Sequence, residues 1–129
     1  MIVFRLFLIL FLFVCSSIFA ANEENEFPNK DSPAAKIYRG SIVYQNYCMA
    51  CHGVTAEGDG RKAKMYTPRP YNLRKSLLPD DYKEQIIRKG GKVMGRSEFM
   101  PPWGEELTDE QIMDIISFLR SIATANKTN

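Results

Sequence analysis

Cys48-Met49-Ala50-Cys51-His52 is the stretch that decides how this chain is read. Two thiols separated by two residues, with an imidazole directly after the second, is the spacing of covalent haem attachment. Each thiol adds to one vinyl group of the porphyrin. One turn of backbone separates the two sulfurs, and the next residue lies where it can give the iron its proximal nitrogen. His52 is the chain's single histidine. The pattern therefore predicts thioethers at Cys48 and Cys51, a proximal axial ligand at His52, and no second histidine opposite it.

Two other chemistries use cysteines at this spacing. A redox-active disulfide of the thioredoxin type expects a βαβ pattern around the motif, and none is visible. A zinc site usually takes four ligands. The only other cysteine is Cys15, in the apolar N-terminal stretch, so a carboxylate would have to complete the set.

The 129 residues suffice for one small domain. Ile2 to Ala21 is nearly all apolar, with Arg5 as its one charge and small residues at Ser16, Ser17, Ala20 and Ala21. Residues 1–20 thus read as a secretory signal peptide cut after Ala20. The alternative is an uncleaved membrane anchor, since the stretch approaches the ~20 residues of a spanning helix. Val14 stands where lipidation of Cys15 would want a small residue. Residues 21–33 read as a flexible leader, 34–125 as the folded domain and 126–129 as a tail. Export leaves Cys48 and Cys51 as the remaining thiols, so no cysteine is left for a structural disulfide. A domain this small then needs another source of stability, which a buried haem supplies.

Net charge says little, but its distribution is uneven. Residues 61–96 hold eleven Lys or Arg against Asp80, Asp81 and Glu84, whereas residues 97–114 hold six acids and no base. Such polarity predicts a sizeable dipole and a basic face able to steer an acidic partner.

Local signals predict an all-α fold: three or more short helices and irregular loops wrapped around one covalently attached haem. Ser32-Pro33 provides an N-cap and a proline at the first helical position, opening a helix that runs to about Tyr47. Gly53 to Leu73 reads as irregular, with a turn at Gly58-Asp59-Gly60 and prolines at 68 and 70. Pro79-Asp80-Asp81 opens a second helix that Gly90-Gly91 stops near Lys89. Thr108-Asp109-Glu110-Gln111 is a capping box. Leu107 and Ile112 form its staple, and Ile112, Ile115, Ile116, Leu119 and Ile122 recur at helical spacing to about Ala125. Gly40 suits a close crossing with Phe118 on that last helix.

With one histidine, the distal ligand is expected to be a methionine thioether, which raises the reduction potential. Outside the signal the candidates are Met49, Met65, Met94, Met100 and Met113. Met100 is preferred because Pro101-Pro102 fix an extended backbone behind it. Met94 is next, and a core methionine beside an open iron is the remaining alternative.

Taken together, these features resemble a small monohaem c-type cytochrome of the bacterial class I family. The likeness covers about residues 36–123. Gly40, Tyr44, Cys48, Cys51, His52 and Gly53 match that family's first helix and attachment site. Gly58-Asp59-Gly60, Ala63, Pro68, Pro70 and Leu73 match its proline loop, and Gly90-Gly91, Ser97 and Met100-Pro101-Pro102-Trp103-Gly104 match its distal loop. The resemblance implies haem c with its iron as the cofactor, and one-electron transfer between a donor and an acceptor rather than catalysis. It also implies Pro68, then Pro70, as the carbonyl holding the histidine's free nitrogen, Trp103 as a donor to a haem propionate, and Arg69 or Arg96 as a propionate partner. Met65 stands where such sequences often carry leucine, which suggests a core position. The expected location is periplasmic or otherwise extracytoplasmic, with a membrane contact only through an uncleaved N-terminus and no nucleic-acid partner. A haem subunit or tethered domain of a larger oxidoreductase is the alternative, and an open-iron enzyme or gas sensor a third class.

Overall fold

The computed structural model describes residues 29–124. The signal at residues 1–20, most of the leader and the tail at 126–129 lie outside the described residues. Four helices follow in order: α1 Pro33–Tyr47, α2 Met49–His52, α3 Asp80–Val93 and α4 Asp109–Thr124, with single 3-10 turns at Ala63–Met65 and Leu73–Lys75. Among the described residues there is no strand, and no helix long and apolar enough to cross a membrane.

The ends of α1 and α4 follow from their caps. Ser32 Oγ accepts the Ala35 amide at 3.2 Å, and Pro33 fills the first helical position, where a missing N–H costs nothing. At α4 the capping box is reciprocal. Gln111 N–H donates to Thr108 Oγ1 at 3.2 Å, and Thr108 N–H donates to Gln111 Oε1 at 2.9 Å.

α1 and α4 cross tightly and form the core. Ile112, Ile115, Ile116 and Leu119 of α4 bury their side chains with Val43 and Tyr44 of α1, joined by Leu107 and Ile87. The crossing point is Gly40. A side chain there would run into the Asp114 carbonyl and reach Phe118 Cβ at 2.9 Å, so only glycine allows this approach. The Tyr44 and Phe118 rings lie 5.2 Å apart beside it. Arg39 reinforces the crossing with a bidentate pair to the buried Asp114, at 2.6 and 2.9 Å.

α3 is broken where the sequence predicts. Gly90 has φ 77° and leaves the helical region, and a last short turn continues to Val93. α3 is tied to α4 through Asp80, whose carboxylate accepts from Lys83 at 3.2 Å and from Arg120. A further tie runs from Arg88 to Glu84 at 2.9 Å and Asp109 at 2.8 Å.

Candidate functional site

The attachment motif is the helical turn α2, entered directly from α1. Cys48 caps both helices, its N–H donating to the Tyr44 carbonyl. The following loop folds back onto α2 and takes up its carbonyls in reverse order. Gly58 donates to His52 O at 2.8 Å, Gly60 to Cys51 O at 3.1 Å and Lys62 to Ala50 O at 2.9 Å. The buried Tyr44 hydroxyl donates to Gly53 O at 2.6 Å. The backbone of the Cys-x-x-Cys-His turn is thereby held on every side, while Cys48 and Cys51 remain unbridged.

His52 Nδ1 lies 3.1 Å from the Tyr71 carbonyl. A carbonyl only accepts, so Nδ1 carries the proton and Nε2 keeps its lone pair. Burial pushes the imidazole pKa below its ordinary value, and the Tyr71 bond only partly offsets this. The ring is therefore neutral at neutral pH, the state in which it ligates a metal. This corrects the expectation for Pro68 and for Pro70. The Pro70 carbonyl is turned onto Gly58 instead, and Pro68 is exposed. What sets Tyr71 in place is the next stretch of chain. Asn72 Oδ1 accepts the Arg74 amide at 3.0 Å, and Leu73 N–H donates to Ala56 O at 2.8 Å.

The loop carrying Met100 is clamped at its base. Gly91 N–H donates to Met100 O at 2.9 Å, Met100 N–H to Ser97 O at 3.3 Å, and Arg96 N–H to Gly91 O at 2.8 Å. Pro101 and Pro102 have no amide to contribute, and the chain is caught again where Trp103 N–H meets Ile87 O at 2.9 Å. A side chain at Gly91 would run into the Ser97 carbonyl and reach Met100 Cβ at 3.2 Å. Met100 itself is half-buried and packs against the core.

Other candidates fall into place around these. Trp103 packs edge-on against Tyr47, centroids 5.3 Å apart, and remains half-buried. Arg96 Nε donates to the Tyr82 hydroxyl at 2.9 Å, while Arg69 is exposed. Met65 is 73% exposed, contrary to the core position expected for it. Ala63 takes the inward place in that 3-10 turn, so the residue two further on faces out. The basic stretch is also narrower than its count implies, because Lys83 is buried on Asp80 and Arg88 is paired with two acids.

This donor set fits haem better than its rivals. Burial, with Cys51 beside it, pushes the Cys48 thiol up to about 12. A redox-active dithiol needs the opposite, a lowered pKa. For zinc, no cluster of three or more His, Cys, Asp or Glu able to hold a metal exists among the described residues. For haem, two unbridged thiols stand one turn apart, an imidazole nitrogen is free, and half-buried Tyr47, Leu73, Met100 and Trp103 offer apolar surface for a macrocycle.

Comparison with known proteins agrees. The chain is 27% identical over 93 residues to the Cbb3-type cytochrome c oxidase subunit CcoP of Azospirillum sp. (strain B510), covering 72% of this chain and 31% of that protein. It thus spans about a third of that relative's length. Among solved structures it is similar to a chain of the Kuenenia stuttgartiensis reducing HAO-like protein complex Kustc0457/Kustc0458. There the TM-score is 0.57 and the identity 28%, over 70% of this chain and 44% of the other. The family model described as cytochrome C oxidase, cbb3-type, subunit III matches residues 35–119. With most of its length matched in this way, the chain belongs to that family of all-α cytochrome c domains, whose cofactor is covalently bound haem c.

Proposed function

We propose that this chain is a one-electron carrier, with haem c held by thioethers at Cys48 and Cys51 and the iron ligated by His52 Nε2 and the Met100 thioether. Bound haem supplies the Fe(III)/Fe(II) couple, and the protein's residues do the rest. The observation that carries the reading is the His52–Tyr71 hydrogen bond, which fixes the tautomer and leaves Nε2 free beside two unbridged thiols. The clamped Met100 loop supports a ligand that stays in place in both oxidation states, which keeps reorganisation small. A thioether opposite an imidazole raises the potential. Trp103, whose indole N–H makes no hydrogen bond among the described residues, is the proposed donor to a propionate.

The partners are a redox donor and a redox acceptor. Exposed Arg61, Lys62, Lys64 and Lys92 form the proposed docking face for an acidic one. The proposed location is extracytoplasmic, with residues 1–20 as signal peptide or anchor and residues 34–125 as the haem domain. A second reading is favoured by the relatives, one a subunit of a cbb3-type oxidase and the other a chain of a multi-protein complex. In it, this domain hands electrons on inside a larger oxidoreductase, and native purification recovers it with that complex.

Carbon monoxide tests the ligand set. The ferrous holoprotein should leave CO unbound and titrate as a single one-electron couple. Met100→Ala should bind CO, turn high-spin and shift the midpoint downward. Equal CO binding by both proteins would contradict the carrier reading and favour an open-iron sensor or enzyme.

A further inference from the structure

The loop carrying Met100 is anchored mainly on α3. Its two ends are bonded to Gly91, Ile87 and Arg88, and Arg96 braces it on Tyr82, with the guanidinium 5.9 Å from the ring centroid. Two aromatic contacts reach the other way, Trp103 on Tyr47 at the loop's far end and Phe99 directly beside Met100. The Tyr66 ring is stacked on Phe99, centroids 4.9 Å apart and planes 28° from parallel. Phe99 immediately precedes Met100. Tyr66 closes the 3-10 turn Ala63–Met65, its N–H donating to Ala63 O, and that turn is bonded through Lys62 to Ala50 of the attachment motif. The stack therefore joins the segment that carries the thiols and imidazole to the segment that carries the thioether.

We propose that Tyr66 is a positioning residue for the distal ligand: through its stack on Phe99 it resists withdrawal of the Met100 thioether. This rests on the reading of Met100 as a ligand. The physical basis is simple. A thioether leaves only if its loop swings away, and swinging Phe99 away separates two rings that gain from being together. Offset aromatic pairs of this geometry add measurably to the burial of their surfaces. The hydroxyl of Tyr66 has no part in this, so phenylalanine should serve equally well.

Imidazole, which displaces a thioether from ferric haem, is the probe, titrated into the holoprotein. Tyr66→Ala should bind imidazole roughly 2- to 10-fold more tightly, the range that loss of one aromatic pair gives. Phe99→Ala should show the same gain, and the double variant no more than either alone. Tyr66→Phe should match the unsubstituted protein. Phe99→Leu carries the same test should Tyr66→Ala load haem poorly. Unchanged imidazole affinity in Tyr66→Ala, even with a lowered unfolding midpoint, would reduce the stack to surface packing and overturn the proposal. An equal gain in Tyr66→Phe would overturn it too, because the hydroxyl would then be responsible. Met100→Ala separates the two levels: if its imidazole affinity equals that of the unsubstituted protein, the ligand reading itself fails, whatever Tyr66 does.

Discussion

Gly91 shows how a single atom can decide the chemistry at a site. Its missing Cβ makes room for the Ser97 carbonyl, which accepts the Met100 amide, and its own N–H meets the Met100 carbonyl. Gly91→Ala should push the loop off this seat at a cost of about 1–3 kcal/mol, the usual range for overpacking. The haem midpoint should move in the direction of Met100→Ala. Denaturant unfolding and a redox titration of the same sample check both, and unchanged values would remove the seat from the account. At this scale the sequence was legible in bringing Cys48, Cys51 and His52 together on one turn, because so short a motif leaves little freedom. It misled for the carbonyl on His52, since Pro68 and Pro70 were legible as loop residues but their orientation was not. Direction is set by the Leu73–Ala56 bond, a contact seventeen residues apart in the chain that no local pattern encodes.

The terminal helices carry their instructions locally. Ser32-Pro33 and the Thr108–Gln111 box open α1 and α4 at the expected places, and Gly90 breaks α3 where expected. Thr108→Ala should therefore lower stability by about 1 kcal/mol through loss of the cap on the Gln111 amide. Chemical denaturation of the holoprotein checks this. No loss would mean that packing of Ile112, Ile115 and Ile116 fixes the start of α4 without help from its cap. The short elements were not legible. α2 and the two 3-10 turns have too few residues to show a period. Their shape comes from bonds between distant segments, as when Gly58, Gly60 and Lys62 take up the carbonyls of His52, Cys51 and Ala50. The exposure of Met65 belongs to the same class, decided by which residue of a single turn faces inward.

For the molecule as a whole, the split between a basic stretch and an acidic one survives folding in reduced form. Lys83 is spent on Asp80 within α3 and Arg88 on Glu84 of α3 and Asp109 of α4, while Lys62, Lys64 and Lys92 stay exposed. Replacing these three by Ala should slow reduction by an acidic redox partner at low ionic strength, with the difference fading as salt screens the charges. Stopped-flow rates across a salt series check this, and identical rates at low salt would remove the docking face. The central claim is chemical, that haem is covalently held at the opening motif, and peptide mass spectrometry of the native holoprotein tests it most directly. Trypsin should release residues 40–61 as one peptide, since no Lys or Arg lies between Arg39 and Arg61. The account predicts that this peptide carries one haem through both cysteines, with no free thiol. Recovery of the same peptide with Cys48 and Cys51 free, or joined to each other, would contradict it.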